Sequence, residues 1–501
     1  MMRKFYYIIC LTIAVLFASC GLKDPFGDKK ESSPVGNLAP DTHLFLFVDQ
    51  KQITEYDTLG TGEIVPHLYT TGLDTTPSKQ ILHWWGDDPD GQVVGYYYQW
   101  DYQSEPIFTT QESDTFYVPI RTQYDEFGFK VWAVDDQGLE DPTPAALRFP
   151  VFNSPPSILF RLGSNPRAVG NAEVTAYTFP TRTFLWDAFD PDGRETITKI
   201  YYALDDTSRW EQLPGDADHV TLRDIAPGEH RFFVKAQDVS GAFSQTISFP
   251  DPDDNNVPNH WKVKSVQGDI LLVNDFAQDQ NLYNVQTFYE DILKELVGEN
   301  GYSVWDIGSD RTPAINAENA LPYSSTDIQA YLSYFHKVIW FAHLGRPNLS
   351  GAGLSITRFI KNGGKILISN ANEEKPDTTW TFTSIDSVYR LNPRGRLLPG
   401  IDILAGFGSA DDAALDLNLE KLVGNRVSAL IPGSAGEVVY RMQPDSTATV
   451  SVPYKGSPPV GIRFKINEGE SIYFSLPFHY CNGNGNITDV FRYILFEEFG
   501  P

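Results

Sequence analysis

Two stretches decide the fold: Trp84-Trp85-Gly86-Asp87-Asp88-Pro89-Asp90-Gly91 and Trp186-Asp187-Ala188-Phe189-Asp190-Pro191-Asp192-Gly193. They match at an offset of 102 residues, with Trp seven positions before Gly in each. Each is followed by an aromatic-rich alternating run, 93–100 and 197–204. A second pair, Val131-Trp132-Ala133-Val134-Asp135-Asp136-Gln137-Gly138 and Val234-Lys235-Ala236-Gln237-Asp238-Val239-Ser240-Gly241, matches at an offset of 103. Two separate matches at nearly one offset indicate an internal duplication.

The surroundings of both copies read as strand. Runs 44–48, 81–85, 115–119, 127–134 and 146–151 alternate apolar and polar residues, with Gly, Pro, Asp or Asn between them. The second copy repeats this at 157–161, 183–187, 220–222, 231–236 and 246–249. Short alternating strands at such spacing predict antiparallel sandwiches. The Trp and the Ala-x-Asp-x-x-Gly ending resemble fibronectin type III and related immunoglobulin-like modules over 40–250.

The Asp-Pro-Asp-Gly segments have two readings. In one they are turns: Pro presets φ, Asp accepts from nearby N–H groups and Gly takes positive φ. In the other, Asp88 and Asp90 from one loop and Asp135 and Asp136 from another offer the hard oxygens that Ca²⁺ requires. Asp190, Asp192 and Asp238 would do the same in the second copy.

The pattern changes after the polar segment 251–258. Gly268-Asp269-Ile270-Leu271-Leu272-Val273-Asn274-Asp275 reads as a buried parallel strand. Val285, Phe288, Ile292, Leu293 and Leu296 give 283–299 a helical period. Strands follow at 302–305, 337–342 and 365–369, with helices at 326–335, capped by Thr326, and at 354–361. Such alternation predicts an α/β doubly wound, three-layer domain. From 380 to 445 the pattern weakens and reads as excursions from the sheet. Strands resume at 438–440, 449–452, 460–464 and 472–476, and 488–499 closes the chain as a helix.

Residues 268–372 resemble class I glutamine amidotransferase-like, flavodoxin-like domains, through Ile270–Asp275, Val338–Ala342 and Gly363-Gly364-Lys365-Ile366-Leu367-Ile368-Ser369. In active members a Cys nucleophile stands on a sharp turn after the strand that follows the glycine pair. Here that place holds Ser369-Asn370-Ala371-Asn372, and an amide cannot form the thioester. The resemblance therefore implies the fold without the activity. Ligands in doubly wound sheets bind at the carboxyl edge of the strands. Asn274, Asp275, His343, Arg346, Asn370 and Glu373 are the candidate pocket there. A rival site is His479 with Cys481, which share a face if the segment is a strand; it supports an envelope hydrolase acting on glycan or peptide. No P-loop, dinucleotide fingerprint, zinc pattern or CxxC occurs.

The N-terminus sets the address. Arg3 and Lys4 precede the apolar run 5–17, broken only by Thr12, and Ala18-Ser19-Cys20 closes it. The run is shorter than the roughly 20 residues of a membrane span. The arrangement resembles a bacterial lipoprotein signal, which implies cleavage before Cys20 and acyl chains on its sulfur. Gly21 after that cysteine implies the outer membrane. The chain has three cysteines, Cys10, Cys20 and Cys481. After cleavage and acylation only Cys481 keeps a thiol, so no intramolecular disulfide forms.

The expected organisation is therefore a leader 1–19, a flexible tether 20–40, sandwiches 41–152 and 153–251, a linker 252–266 and an α/β domain 267–501. A net charge of −26 over 501 residues argues against nucleic acid as a partner. The expected role is non-catalytic binding or assembly at the cell envelope, with the sandwiches as a stalk. The expected partners are the membrane, through the anchor, and carbohydrate or an envelope protein. Tyr96, Tyr98 and Trp100 are candidate contacts to carbohydrate or protein, although an eight-residue strand buries alternate positions and half of them are expected in the core. No cofactor beyond Ca²⁺ is implied.

Overall fold

The computed structural model describes residues 36–46, 55–58, 64–67, 78–161, 175–251, 259–276, 285–307, 321–343, 348–371, 380–392, 395–410, 412–424, 427–446 and 453–500. The leader, Cys20 and the tether as far as residue 35 lie outside them. The chain divides into two compact units. One holds the first sandwich; the other runs from Val151 to the C-terminus and includes the short segments Thr75–Lys79 and Tyr117–Asp125.

The first sandwich contains β1 (Asp41–Leu46), β2 (Glu55–Thr58), β3 (Ile64–His67), β4 (Lys79–Asp87), β5 (Val93–Trp100), β6 (Ile107–Thr109), β7 (Ser113–Tyr117), β8 (Tyr124–Asp135) and β9 (Ala145–Phe152). One sheet has the order β1-β4-β7, the other β2-β3-β9-β8-β5-β6. Strand alternation puts Tyr96, Tyr98 and Trp100 of β5 on the inner face, all buried. There they meet Trp84 and Phe129. The three candidate contacts are thus core residues. Their outward neighbours, Tyr97 and Gln99, are the half-exposed ones.

The second sandwich contains β10 (Ser157–Phe160), β11 (Thr175–Thr178), β12 (Arg182–Phe189), β13 (Ile197–Leu204), β14 (Glu211–Pro214), β15 (His219–Leu222), β16 (Gly228–Glu229), β17 (Phe232–Asp238), β18 (Ile247–Phe249) and β19 (His260–Val263). Its sheets β10-β12-β15 and β14-β13-β17-β18 repeat β1-β4-β7 and β6-β5-β8-β9 strand for strand. The duplication read from the two tryptophan motifs is therefore a duplication of topology. A third sheet, β11-β19-β16, has no counterpart. β19 falls inside the expected linker 252–266 and corrects it. His260 and Lys262 face outward, while Trp261 and Val263 are buried in the sandwich core. Trp261 meets Phe184 edge-on and donates its indole N–H to Thr178.

This sandwich is not a separate stalk segment. Phe179 inserts among Tyr331, Tyr334 and Phe335 of the C-terminal region. Arg182 and Asp327 form an ion pair at 3.7 Å with side chains only 4% and 1% exposed. Thr183 donates its N–H and hydroxyl to the same carboxylate, at 3.0 and 2.6 Å.

The C-terminal region is built on one nine-stranded sheet. Its strands are β20 (Ile270–Phe276), β21 (Tyr302–Asp306), β22 (Lys337–His343), β23 (Lys365–Ala371), β25 (Asp402–Ala405), β26 (Leu417–Asn418), β28 (Gly436–Met442), β29 (Pro459–Ile466) and β30 (Gly469–Phe474). A separate pair is formed by β24 (Ile385–Arg390) and β27 (Ser428–Pro432). The order is β21-β20-β22-β23-β30-β29-β28-β25-β26. The first five strands are parallel, and antiparallel pairing begins at β29. Helix α1 (Val285–Val297) and α4 (Ile487–Arg492) cover one face; α2 (Ser325–Ser333) and α3 (Leu349–Lys361) cover the other. The expected closing helix changes to π-type turns at Tyr493–Glu498. Part of 380–437, expected as excursions, instead extends the sheet as β25 and β26, which join it through β28, where a strand was expected at 438–440.

Candidate functional site

The parallel strands bring the predicted edge residues together. Register places Asp275 beside Ala342 and Ala342 beside Asn370, while Asn274 lies beside Asp306. His343 ends β22. Arg346 and Glu373 lie outside the described residues, as do the loops that follow β20, β21, β22 and β23.

The described side chains at this edge, those of Asn274, Asp275 and Asn370, are committed to structure. Asp275 accepts from the indole N–H of Trp340 at 3.1 Å. It also accepts from the backbone and side-chain amides of Asn348, at 2.6 and 2.8 Å. That carboxylate ties the start of α3 to the end of β20. Asn274 donates to Gln286 of α1 at 2.8 Å and accepts from Phe276 N at 3.1 Å. Asn370 is fully buried and donates to the Tyr473 hydroxyl at 2.9 Å. These bonds satisfy groups that would be costly to bury unpaired.

The rival pair has a different geometry from the expected strand. Phe478–Tyr480 is a 3₁₀ turn, so residues 479 and 481 do not share a sheet face. Cys481 is 0% exposed, and its S–H donates to Pro477 O at 3.3 Å. Burial pushes its thiol well above the ordinary range, away from the thiolate a nucleophile needs. His479 packs its ring edge-on against Phe276 and Phe288.

The aspartates of the repeated turns act mainly on local backbone. Asp135 accepts from Gln137 N and Leu139 N at 2.9 and 2.8 Å and from the Asn37 amide. Burial works against its charge, yet these donors hold its carboxyl below the usual range. Asp88 accepts from Asp90 N, and Asp90 from Leu38 N. Asp136 is exposed, with one oxygen directed toward Gly91.

In the second copy the same positions gather segments of chain. Asp192 accepts from Ser78 N at 2.7 Å and Ser154 N at 2.6 Å. Asp238 accepts from Ala242 N, the Ser240 hydroxyl and the Asn153 amide. Asp190 accepts from Asp192 N at 2.8 Å, and its other oxygen is buried without a partner. Burial raises the Asp190 carboxyl to about 6, with Asp192 and Asp238 adding to the shift. Among the described residues, no group of three or more His, Cys, Asp or Glu side chains could hold a metal ion.

Two clefts remain. One, of about 440 Å³, lies on the second sandwich beside His230. There His230 is already bonded to Asp205 at 2.8 Å and to Ala226 O at 2.6 Å. The other, of about 400 Å³, lies on the first sandwich and is lined by Gln99, Asp101, Gln103, Lys130 and Arg148 over Trp100 and Phe129. No motif in the sequence marks these residues. Their signal was the outward half of the alternating runs, 97 and 99 on β5 and 130 and 132 on β8.

No family model matches the sequence, and no curated protein does. Solved structures similar to parts of the chain include the fibronectin(III)-like modules of Clostridium thermocellum CbhA. They are 17% identical, cover 37% of this chain and 86% of that one, and have a TM-score of 0.17. A two-domain fibronectin type III segment of chicken tenascin is 13% identical, with 39% and 95% covered and a TM-score of 0.19. Likeness this low carries no argument, and the sandwiches stand on their own strand pairing.

Proposed function

We propose that this chain is a lipid-anchored cell-envelope protein with a non-catalytic role in binding or assembly. In this reading the acyl chains on Cys20 hold it to the outer membrane, and the two sandwiches resemble fibronectin type III modules. The C-terminal region is a catalytically silent relative of class I glutamine amidotransferases. Asn370 carries the reading. At the place where the resembled enzymes keep their nucleophile stands an amide, fully buried and bonded to Tyr473. The inert Cys481 supports it, because no other thiol occurs in the described residues.

The tether rests on the sequence of the leader. One acyl chain binds membranes marginally and two anchor stably. Growth with an alkynyl fatty acid tests this. The wild-type chain is expected to take up label and sediment with membranes, and Cys20→Ser to lose both. Label retained by Cys20→Ser, or none on the wild type, contradicts the anchor.

A further inference from the structure

We infer that the outer face of the first sandwich binds an acidic glycan, one that carries uronate carboxylates on its sugar rings. This inference rests on the non-catalytic binding role proposed above and names the ligand class. Three features meet on that face.

The first is a flat aromatic surface. Tyr97 and Trp132 are cross-strand partners on β5 and β8, with ring centroids 5.8 Å apart and planes within 28°. Phe108 of the edge strand β6 adjoins Tyr97 at 5.2 Å and is 48% exposed. Gly95 allows this, since a Cβ there would lie 2.4 Å from the Phe108 ring. A half-exposed aromatic surface suits the C–H faces of pyranose rings, which are apolar while their edges are polar.

The second is a cation with no carboxylate partner among the described residues, in a chain of net charge −26. Lys130 lies 5.4 Å over the Trp132 ring. Arg148, across the same cleft, meets Glu126 at 3.4 Å, both well exposed. Such an exposed pair contributes little and exchanges readily for a ligand carboxylate.

The third is spare amide capacity beside the cations. Gln99 donates to Gln103 O, and among the described residues nothing donates to its own oxygen. Gln103 accepts from Trp100 N, and among the described residues its amide N–H groups meet no acceptor. Amides of this kind recognise sugar hydroxyls. The cleft also holds one acid, Asp101, which is committed to Gly128 N at 2.8 Å.

The duplicated copy is an internal control. The slot of Trp132 is filled there by Lys235, paired in register with Tyr201. The Lys235 ammonium lies 4.3 Å over Trp210 and 4.5 Å over Phe243. That lysine occupies the aromatic surface, so the second copy offers no open platform. The proposal therefore assigns one site to the chain, on the first sandwich.

Calorimetric titration of the full chain tests it with a short oligogalacturonate, a neutral galacto-oligosaccharide of equal length and an oligoglutamate peptide. Binding is expected for the uronate, weakening with salt as screened charges require. Trp132→Ala is expected to weaken it by about tenfold, as loss of an aromatic anchor does. Lys130→Gln with Arg148→Gln, exposed changes that leave the core intact, is expected to bring the uronate down to the neutral sugar's affinity. An unchanged unfolding midpoint in these charge variants separates loss of binding from loss of fold. No binding of the uronate, equal binding of uronate and neutral sugar by the wild type, or equal binding of the glutamate peptide overturns the inference. Failure here with Cys20 acylated leaves the anchored binding role standing. New reducing ends on the uronate would instead overturn the non-catalytic reading itself.

Discussion

At the scale of single residues, Asp190 shows how the repeated turn is used differently in the two copies. Its carboxyl rises from 3.8 to about 6 because it is buried beside Asp192 and Asp238. The folded form then holds a proton that the unfolded chain releases. Between about pH 4 and 6 the folded state binds more protons, so this residue's contribution to stability falls as pH rises through that window. Above it the charged, buried carboxylate costs up to about 3 kcal/mol. Asp190→Asn keeps the oxygen that accepts from Asp192 N. It is expected to raise the unfolding midpoint at pH 7.5 and to lose that advantage by pH 4, in melts run across the range. An advantage independent of pH would count against the buried carboxylate. Cys481 gives a second residue-scale expectation. Its enclosed thiol should resist maleimide in the native protein and react only in denaturant, followed by mass. Rapid native labelling would mean that the burial is wrong.

At the scale of elements, legibility followed periodicity. The alternating runs of both sandwiches and the apolar runs of β20, β22 and β23 could be read because their neighbours are simple turns or helices. β19 could not, because four residues, His260–Val263, gain their strand character from parallel pairing with distant β11. The strands between 380 and 435 were hidden for the same reason. β25 and β26 are only four and two residues long and join the sheet through β28. Candidate sites were less legible than strands. Asp275 and Asn274 looked like ligand groups at a sheet edge, yet they tie α3 and α1 to that edge. Polarity in sequence does not reveal whether a bond partner waits in the fold. The seam between the second sandwich and α2 was also invisible, since Arg182 and Asp327 stand far apart in the chain. Asp327→Ala should cost about 3 kcal/mol by leaving a buried guanidinium without its carboxylate. Denaturant unfolding reads this as a shifted midpoint. At the start of β30, a Cβ on Gly469 would lie 1.8 Å from the Ile360 carbonyl oxygen. Gly469→Ala is therefore expected to cost about 2 kcal/mol or more by forcing β30 from α3. A neutral result would show that the two elements separate freely.

At the scale of the whole molecule, chemistry that the sequence concentrates in few residues is largely withdrawn from solvent. One sulfur, Cys20, is the proposed site of the membrane anchor, and that of Cys481 is buried and bonded to Pro477 O. The second sandwich and the C-terminal region share a packed seam around Phe179, Arg182 and Asp327. Among the described residues, the outer face of the first sandwich sets an aromatic surface and the amides of Gln99 and Gln103 beside Lys130. This division is what the proposed non-catalytic binding role requires. The most direct test uses a diazoketone analogue of glutamine, which alkylates the thiol of glutamine-hydrolysing sites. Incubated with the native Cys20→Ser chain and weighed intact, the protein is predicted to gain no mass. One stoichiometric adduct on Cys481 under native conditions would contradict the account.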